Sequence, residues 1–320
     1  MSKLRRIFIG SMFLIILPCV GFSQFRIVGY VALGKQPAAI VSDTALKNLT
    51  HLNIAFVNPD STGSLIVPNG FDSLIEKAHA NNVKVLMAIG GGSFNPYYAN
   101  LFKKGNRTKL IEALVTLCLD RKLDGIDVDI ENDNIDKNYE GFIIDLHTYL
   151  KPQHKLMTAA LATWNGQLIP DTALRLFDFI NVMSYDQTGP WAPEKPGPHS
   201  TFQKAIDDLN YWTINRKVPK HKLNLGVPFY GYGFGTTFGE SMSYSDIIRN
   251  FEGAEKKDSI LPADGGAIYY NGVTTIQDKT RLALKDAGGV MIWQILQDAP
   301  ADNSLLDAIK KITVRRHIKK

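Results

Sequence analysis

The chain has 320 residues, of which 45% are hydrophobic and 21% charged. That content supports a sizeable core, in one large domain or two ordinary ones, and excludes wholesale disorder. The formal net charge is +5, and the basic residues form no footprint of the kind that tracks a nucleic-acid backbone.

The first predicted element is a targeting segment. Lys3, Arg5 and Arg6 form a basic head, an apolar run extends from Ile7 to about Phe22, and Gly21 and Ser23 are small residues ahead of a cleavage point. This reads as a secretory signal peptide over residues 1–23. It predicts a secreted or periplasmic mature chain, 24–320. The run is short and contains Gly10 and Pro18, which argues against a retained membrane anchor. Cys19 raises the question of lipid attachment, but Pro18 stands where a small residue is expected. Cleavage removes three positive charges and leaves a nearly neutral chain with one cysteine, Cys118. A single thiol cannot form an internal disulfide, and Cys118 lies in an apolar helical pattern, so it reads as a buried structural residue. The basic tail from Arg315 to Lys320 reads as a solvated end.

Beyond the leader, apolar β-branched runs recur near 26–31, 50–57, 83–89, 123–131, 155–161, 178–185, 222–228 and 288–294. Between them lie stretches with helical spacing, near 72–82, 108–119, 138–150, 202–214, 274–286 and 303–312. In the clearest, Leu110, Ile111, Leu114, Val115 and Cys118 share one face. Strands alternating with helices imply a parallel sheet. Eight such strands suit a single α/β domain, a closed (β/α)8 TIM barrel. A doubly wound open sheet is the other reading, but Val31-Ala32-Leu33-Gly34 lacks its glycine-rich first turn. The segment from Gly231 to Asn271 is long for a βα loop and short for a large domain. It reads as an elaborated loop at the barrel mouth, a short insertion before the last strand.

The fourth strand carries the chemistry. It reads Leu123-Asp124-Gly125-Ile126-Asp127-Val128-Asp129-Ile130-Glu131. Strand side chains alternate between faces, so Asp127, Asp129 and Glu131 share one face and Ile126, Val128 and Ile130 the other. In a barrel the aliphatic set packs outward and the carboxylates point inward, with Glu131 nearest the C-terminal mouth, where barrel active sites lie. Adjacent buried carboxyls raise at least one pKa. A carboxyl kept protonated near neutral pH is what a general acid for glycosidic cleavage requires. A solvent-facing acidic strand does not fit the strict alternation, and a metal site would be expected to recruit histidine, which does not cluster here. No metal is expected.

The stretch Asp124-Gly125-Ile126-Asp127-Val128-Asp129-Ile130-Glu131 resembles the Asp-Gly-x-Asp-x-Asp-x-Glu signature of glycoside hydrolase family 18, the chitinase family. Other segments agree with it in order. Met87-Ala88-Ile89-Gly90-Gly91 looks like the family's strand-three Ser-x-Gly-Gly, with Ala88 in place of Ser. Met183-Ser184-Tyr185-Asp186 resembles the strand-six Met-x-Tyr-Asp. Gly226-Val227-Pro228-Phe229-Tyr230-Gly231 resembles the strand-seven segment, and Gly288 to Trp293 the Gly-Gly-x-Met-x-Trp of strand eight.

The resemblance implies a retaining, substrate-assisted glycosidase, an exception to the rule of two catalytic carboxylates. Glu131 would protonate the leaving glycosidic oxygen and later activate water. The substrate's own 2-acetamido oxygen would attack the anomeric carbon. Asp129 would orient the acetamido group, and Asp127 would hold Asp129 and share its proton. Tyr185 would donate to the acetamido oxygen, and Asp186 would contact the same sugar or a neighbouring carboxyl. Trp293 would floor the cleavage point, with Met183 and Tyr30 lining the pocket. Tyr185 and Trp293 also read as core aromatics, and Asp186 as a cap. Gly90-Gly91-Gly92 reads as a tight turn rather than a phosphate cradle, since no Lys-Ser/Thr follows. Ala88 removes a hydroxyl the family often places beside the buried Asp, and Ile130 replaces an aromatic on the outward face. Trp164 and Trp191 read either as sugar platforms or as loop packing, and the Pro-rich stretch from Gly189 to Pro198 as a rigid rim.

By the resemblance, the partners are chitin, chito-oligosaccharides or other N-acetylglucosamine-containing glycans. No cofactor is implied, and a monomer is expected. An endo-β-N-acetylglucosaminidase acting on the chitobiose core of N-glycans would use the same strand. A chitin-binding lectin without turnover is the third reading. Such relatives lose the acid at the position of Glu131, which is retained here.

Overall fold

The structure, a computed structural model, describes residues 24–33, 41–263 and 265–318. Residues 1–23, read above as a signal peptide and including Cys19, lie outside the described residues, as do the side chains of the basic tail. Eight parallel strands close into a barrel: β1 (Arg26–Ala32), β2 (His51–Ala55), β3 (Lys84–Gly91), β4 (Gly125–Ile130), β5 (Leu156–Leu161), β6 (Phe179–Val182), β7 (Leu223–Pro228) and β8 (Gly289–Trp293). Neighbours in the chain are neighbours in the barrel, and β8 closes on β1. Six strands fall inside the apolar runs that predicted them, while β1 extends one residue and β3 two residues past theirs.

Two acidic residues at strand starts help set the register. Asp124 accepts from the Val85 N–H at 2.7 Å, and Asp178 accepts from the Met157 N–H at 2.8 Å. Each ties the start of one strand to its neighbour, so a one-residue slip would break it.

The core has two layers. The larger lies between strands and helices and includes Ile126, Val128 and Ile130 of β4 with Leu110, Leu114 and Cys118 of the helix Arg107–Asp120. The Cys118 thiol is free and buried, and desolvation pushes it up to about 12. It is therefore not a thiolate nucleophile. The smaller layer fills the barrel interior with Val28, Tyr30, Ala55, Ala88, Ala160, Phe179 and Met291.

Helices Phe71–Ala80, Arg107–Asp120, Tyr139–Leu150, Phe202–Asn210, Val273–Asp286 and Leu305–Ile318 match the predicted periodic stretches. Helix Phe202–Asn210 passes into a π-turn over Tyr211–Asn215, so the predicted span to 214 has two helical geometries. The helices Asp43–Asn48 and Asp171–Leu176 were not predicted. At six residues each they are too short to repeat an apolar face.

The insertion is more ordered than an elaborated loop. Strands Ser241–Ser243, Tyr230–Phe234, Ala267–Tyr269 and Ser259–Ile260 form, in that order, an antiparallel sheet, joined by helix Tyr244–Asn250. It starts at Tyr230, two residues after β7 ends, and so stands at the mouth.

Candidate active site

The alternation in β4 sends Asp127 and Asp129 into the barrel, both buried, while Glu131 sits just past the strand end and is partly exposed. Side chains two apart in a strand are about 6.6 Å apart along it. The three carboxyls therefore rise from the barrel interior to its rim.

Asp127, the deepest, is caged by donors from three strands. Tyr30 of β1 donates its hydroxyl to Oδ2 at 2.5 Å, Thr158 of β5 donates to Oδ1, and Asn181 of β6 donates an N–H to Oδ1 at 3.3 Å. Asn181 also donates to Tyr30 at 3.0 Å and accepts from Asn224 at 2.8 Å. Burial pushes the Asp127 carboxyl up to about 6, with these donors opposing the rise. Asp129 has a buried Oδ1 with no partner among the described residues. Burial first, then the charges of Glu131 and Asp127, hold its carboxyl well above the usual range. A proton is thus retained within this pair when both would ordinarily be ionised. Glu131 is pushed up to about 7, by desolvation first and then by the negative charge of Asp186.

Asp186 sits across the mouth in a left-handed conformation, with φ of +58°. Its Oδ1 accepts from Tyr230 at 2.5 Å and Tyr232 at 3.1 Å, and the His199 Nδ1 lies 3.3 Å away. Tyr230 and Tyr232 belong to the first strand of the inserted sheet, and His199 is fully buried beneath them. The inserted sheet therefore holds a carboxylate that bears on Glu131. Tyr185 points inward and touches the Met291 sulfur at 3.8 Å. Trp293, at the end of β8, packs against Phe56 with centroids 5.8 Å apart and against Tyr30 at 5.6 Å. Met183 joins the same inner layer.

Gly90 and Gly91, read from the sequence as part of a tight turn, are instead the last two residues of β3, and they are a close approach of chain to chain. Gly90 and Gly91 have φ of +102° and +95°. A Cβ on Gly90 would lie 2.0 Å from the Asp129 carbonyl oxygen, and one on Gly91 would lie 2.6 Å from the Phe56 ring. Gly92 faces Glu131 with room to spare, at 3.6 Å.

The structure thus gathers Asp127, Asp129, Glu131, Tyr185, Asp186, Met183 and Trp293 at one end of the barrel. Tyr30 differs from expectation. It was read as a pocket wall, but it is 1% exposed and its hydroxyl is committed to Asp127. Trp164 and Trp191 are exposed at 69% and 61%, and Trp191 meets Tyr232 edge-on at 5.4 Å. Thr158 and Asn181 were missed. Both are polar residues at inward positions of strands, a signal that alternation alone could have given. His199 was missed because a loop residue has no register to read. Among the described residues no group of three or more His, Cys, Asp or Glu converges to hold a metal ion.

The model of glycosyl hydrolases family 18 matches residues 26–298, which takes in every barrel strand and the whole site. The chain belongs to glycosyl hydrolase family 18. Among solved structures, it is similar to a family 18 chitinase from the chitin utilization locus of Flavobacterium johnsoniae. The two are 35% identical with a TM-score of 0.84, over 92% of this chain and 95% of that one. A chitinase from Bacteroides thetaiotaomicron is 29% identical with a TM-score of 0.79, over 92% and 98%. Among curated proteins, Endochitinase 1 of Metarhizium robertsii is 25% identical over 73% of this chain and 66% of its own length. The chain spans only 55% to 66% of the first curated relatives it matches.

Proposed function

We propose that this protein is a secreted glycosidase that cleaves β-1,4 bonds between N-acetylglucosamine units by a retaining, substrate-assisted mechanism. The observation that carries the reading is the carboxylate row of β4. It offers a single acid at the rim, Glu131, backed by two buried carboxyls. The carboxylate across the mouth, Asp186, has its Oδ1 committed to Tyr230 and Tyr232.

In this reading Glu131, held up to about 7, donates its proton to the glycosidic oxygen as the C1–O bond breaks. The substrate's acetamido oxygen forms the new bond to C1, giving an oxazolinium-like intermediate. The unpartnered Asp129 Oδ1 is free to accept from the acetamido N–H and to balance the positive charge that develops. Asp127 steadies Asp129 and shares its proton. Tyr185 donates to the acetamido oxygen. The sugar ring lies on Trp293. Glu131, now a carboxylate, takes a proton from water as the water opens the intermediate with retention. The names of the similar chitinases support the substrate class. Residues 1–23 would direct secretion, and 24–320 would be the catalytic unit.

The test is a panel of chito-oligosaccharides, insoluble chitin, fully deacetylated oligomers and a high-mannose glycoprotein. Chito-oligosaccharides are expected to be cut and the deacetylated oligomers to resist. Glu131→Gln is expected to lower kcat by about 10³-fold or more with binding largely kept. Brisk cleavage of deacetylated oligomers would sink substrate assistance. Release from the glycoprotein alone would move the substrate to N-glycan cores, and binding of every sugar without turnover would make the protein a lectin.

A further inference from the structure

Asp127 lies between two register partners. Ala88 pairs with it from β3 and Thr158 from β5. In parallel pairing such partners point to the same face, so both side chains flank the carboxyl. Ala88 is fully buried and offers only a methyl group. Thr158 is fully buried too, but its hydroxyl donates to Asp127 Oδ1. The rest of this inner layer includes Val28, Ala55, Ala160, Phe179 and Met291. In such a setting valine would fill the volume of threonine without a polar atom to satisfy. The hydroxyl therefore needs an explanation, and its hydrogen-bond partner is the carboxyl at the base of the acidic row.

We propose that Thr158 is a positioning residue for catalysis, supplying from β5 the hydroxyl that the family pattern places on β3 at the position of Ala88. The donor has changed strands while the acceptor has stayed. Tyr30 fixes Oδ2 and Thr158 fixes Oδ1, so the plane of the Asp127 carboxyl is set from opposite sides of the barrel. That plane governs how Asp127 meets Asp129 above it. The inference rests on the reading of the β4 row as catalytic.

The experiment compares Thr158→Val, Thr158→Ser and the double variant Ala88→Ser/Thr158→Val with the wild type and with Glu131→Gln. Melting temperatures establish that each is folded. Rates are taken from pH 4 to 9 on a chromogenic N,N′-diacetylchitobioside. Thr158→Val is expected to lower kcat about tenfold with KM changed less than about twofold. Its acidic limb should move to higher pH, because Asp127 loses a hydrogen bond that favours the charged form. Thr158→Ser should stay near wild type. The double variant should recover most of kcat and return the limb, since serine at 88 faces the same carboxyl. Wild-type kcat and pH profile in Thr158→Val overturn the inference, as does a loss that Thr158→Ser does not recover. If Glu131→Gln turns over as fast as wild type, the catalytic reading of the row falls instead.

Discussion

Glu131 owes its proton to two neighbours of different kinds. Packing at the rim removes water, and Asp186 adds a negative charge. Only the second can be removed without changing shape. Asp186→Asn keeps the acceptor for Tyr230 and Tyr232 but deletes the charge. Glu131 then ionises more readily, so its acid form is lost at lower pH. The alkaline limb of kcat/KM, expected near pH 7 in the wild type, should move down by roughly half a unit to one unit. A pH series on one chito-oligosaccharide checks this, and an unmoved or rising limb would contradict it. At this scale the sequence told much about Asp127, Asp129 and Glu131, because a period of two assigns faces without any knowledge of neighbours. It told nothing of His199, whose place against Asp186 depends on how the loop from Gln187 to Pro198 folds back. Tyr30 was assigned to the right end of the barrel but the wrong depth, since a residue's level inside a barrel depends on strand stagger.

The elements β3 and β4 meet more closely than side chains allow. Gly90 is gripped by Asn58, which accepts from its N–H at 2.7 Å and donates to its C=O at 2.8 Å. Alanine there would need a left-handed backbone and would strike the Asp129 carbonyl. Gly90→Ala is expected to destabilise by about 3 kcal/mol or more, whereas Gly92→Ala should stay within about 1 kcal/mol. Urea unfolding of the two variants separates these outcomes. A different strut joins the mouth loops to the helix Val273–Asp286. The buried Lys279 Nζ donates at 2.7 Å to Ser200 O, Ser200 Oγ and Asn271 Oδ1. It ties the loop after β6 to the root of the insertion. The barrel strands were legible because buried parallel strands read as largely apolar runs, with β4 standing out by its alternation of aliphatic and acidic residues. The inserted sheet was not, because strands of two to five residues carry too little periodicity and gain their order from pairing.

For the molecule as a whole, the acidic row is a source of instability. An unfolded chain releases the Asp129 proton near pH 4, but the folded one holds it well above that. Folding is therefore penalised increasingly as pH rises from about 4, and the penalty is absent where the carboxyl is protonated in both states. Asp129→Asn removes the ionisable group and keeps the shape. Its melting temperature should exceed the wild type by roughly 3 to 6 °C at pH 7, with the gap closing toward pH 4. Thermal melts at both values decide the matter, and a variant less stable at pH 7 would contradict the account. The same variant should be nearly inactive. The barrel bears this load because the apolar cluster between strands and helices is large, while the apolar layer inside the barrel is small and shares its space with buried polar groups.

The tryptophans are distributed in a way that has an optical consequence. Of the four in the chain, Trp212 is fully buried, Trp164 and Trp191 stand in solvent, and Trp293 lies half-covered between Phe56 and Tyr30. A ring seated on Trp293 would displace water from its open face and shift its emission to the blue, while Trp212 would not respond. If Trp293 floors the cleft as proposed, the protein carries an intrinsic fluorophore there. Occupancy could be titrated by light alone, without a label and without waiting for a bond to break.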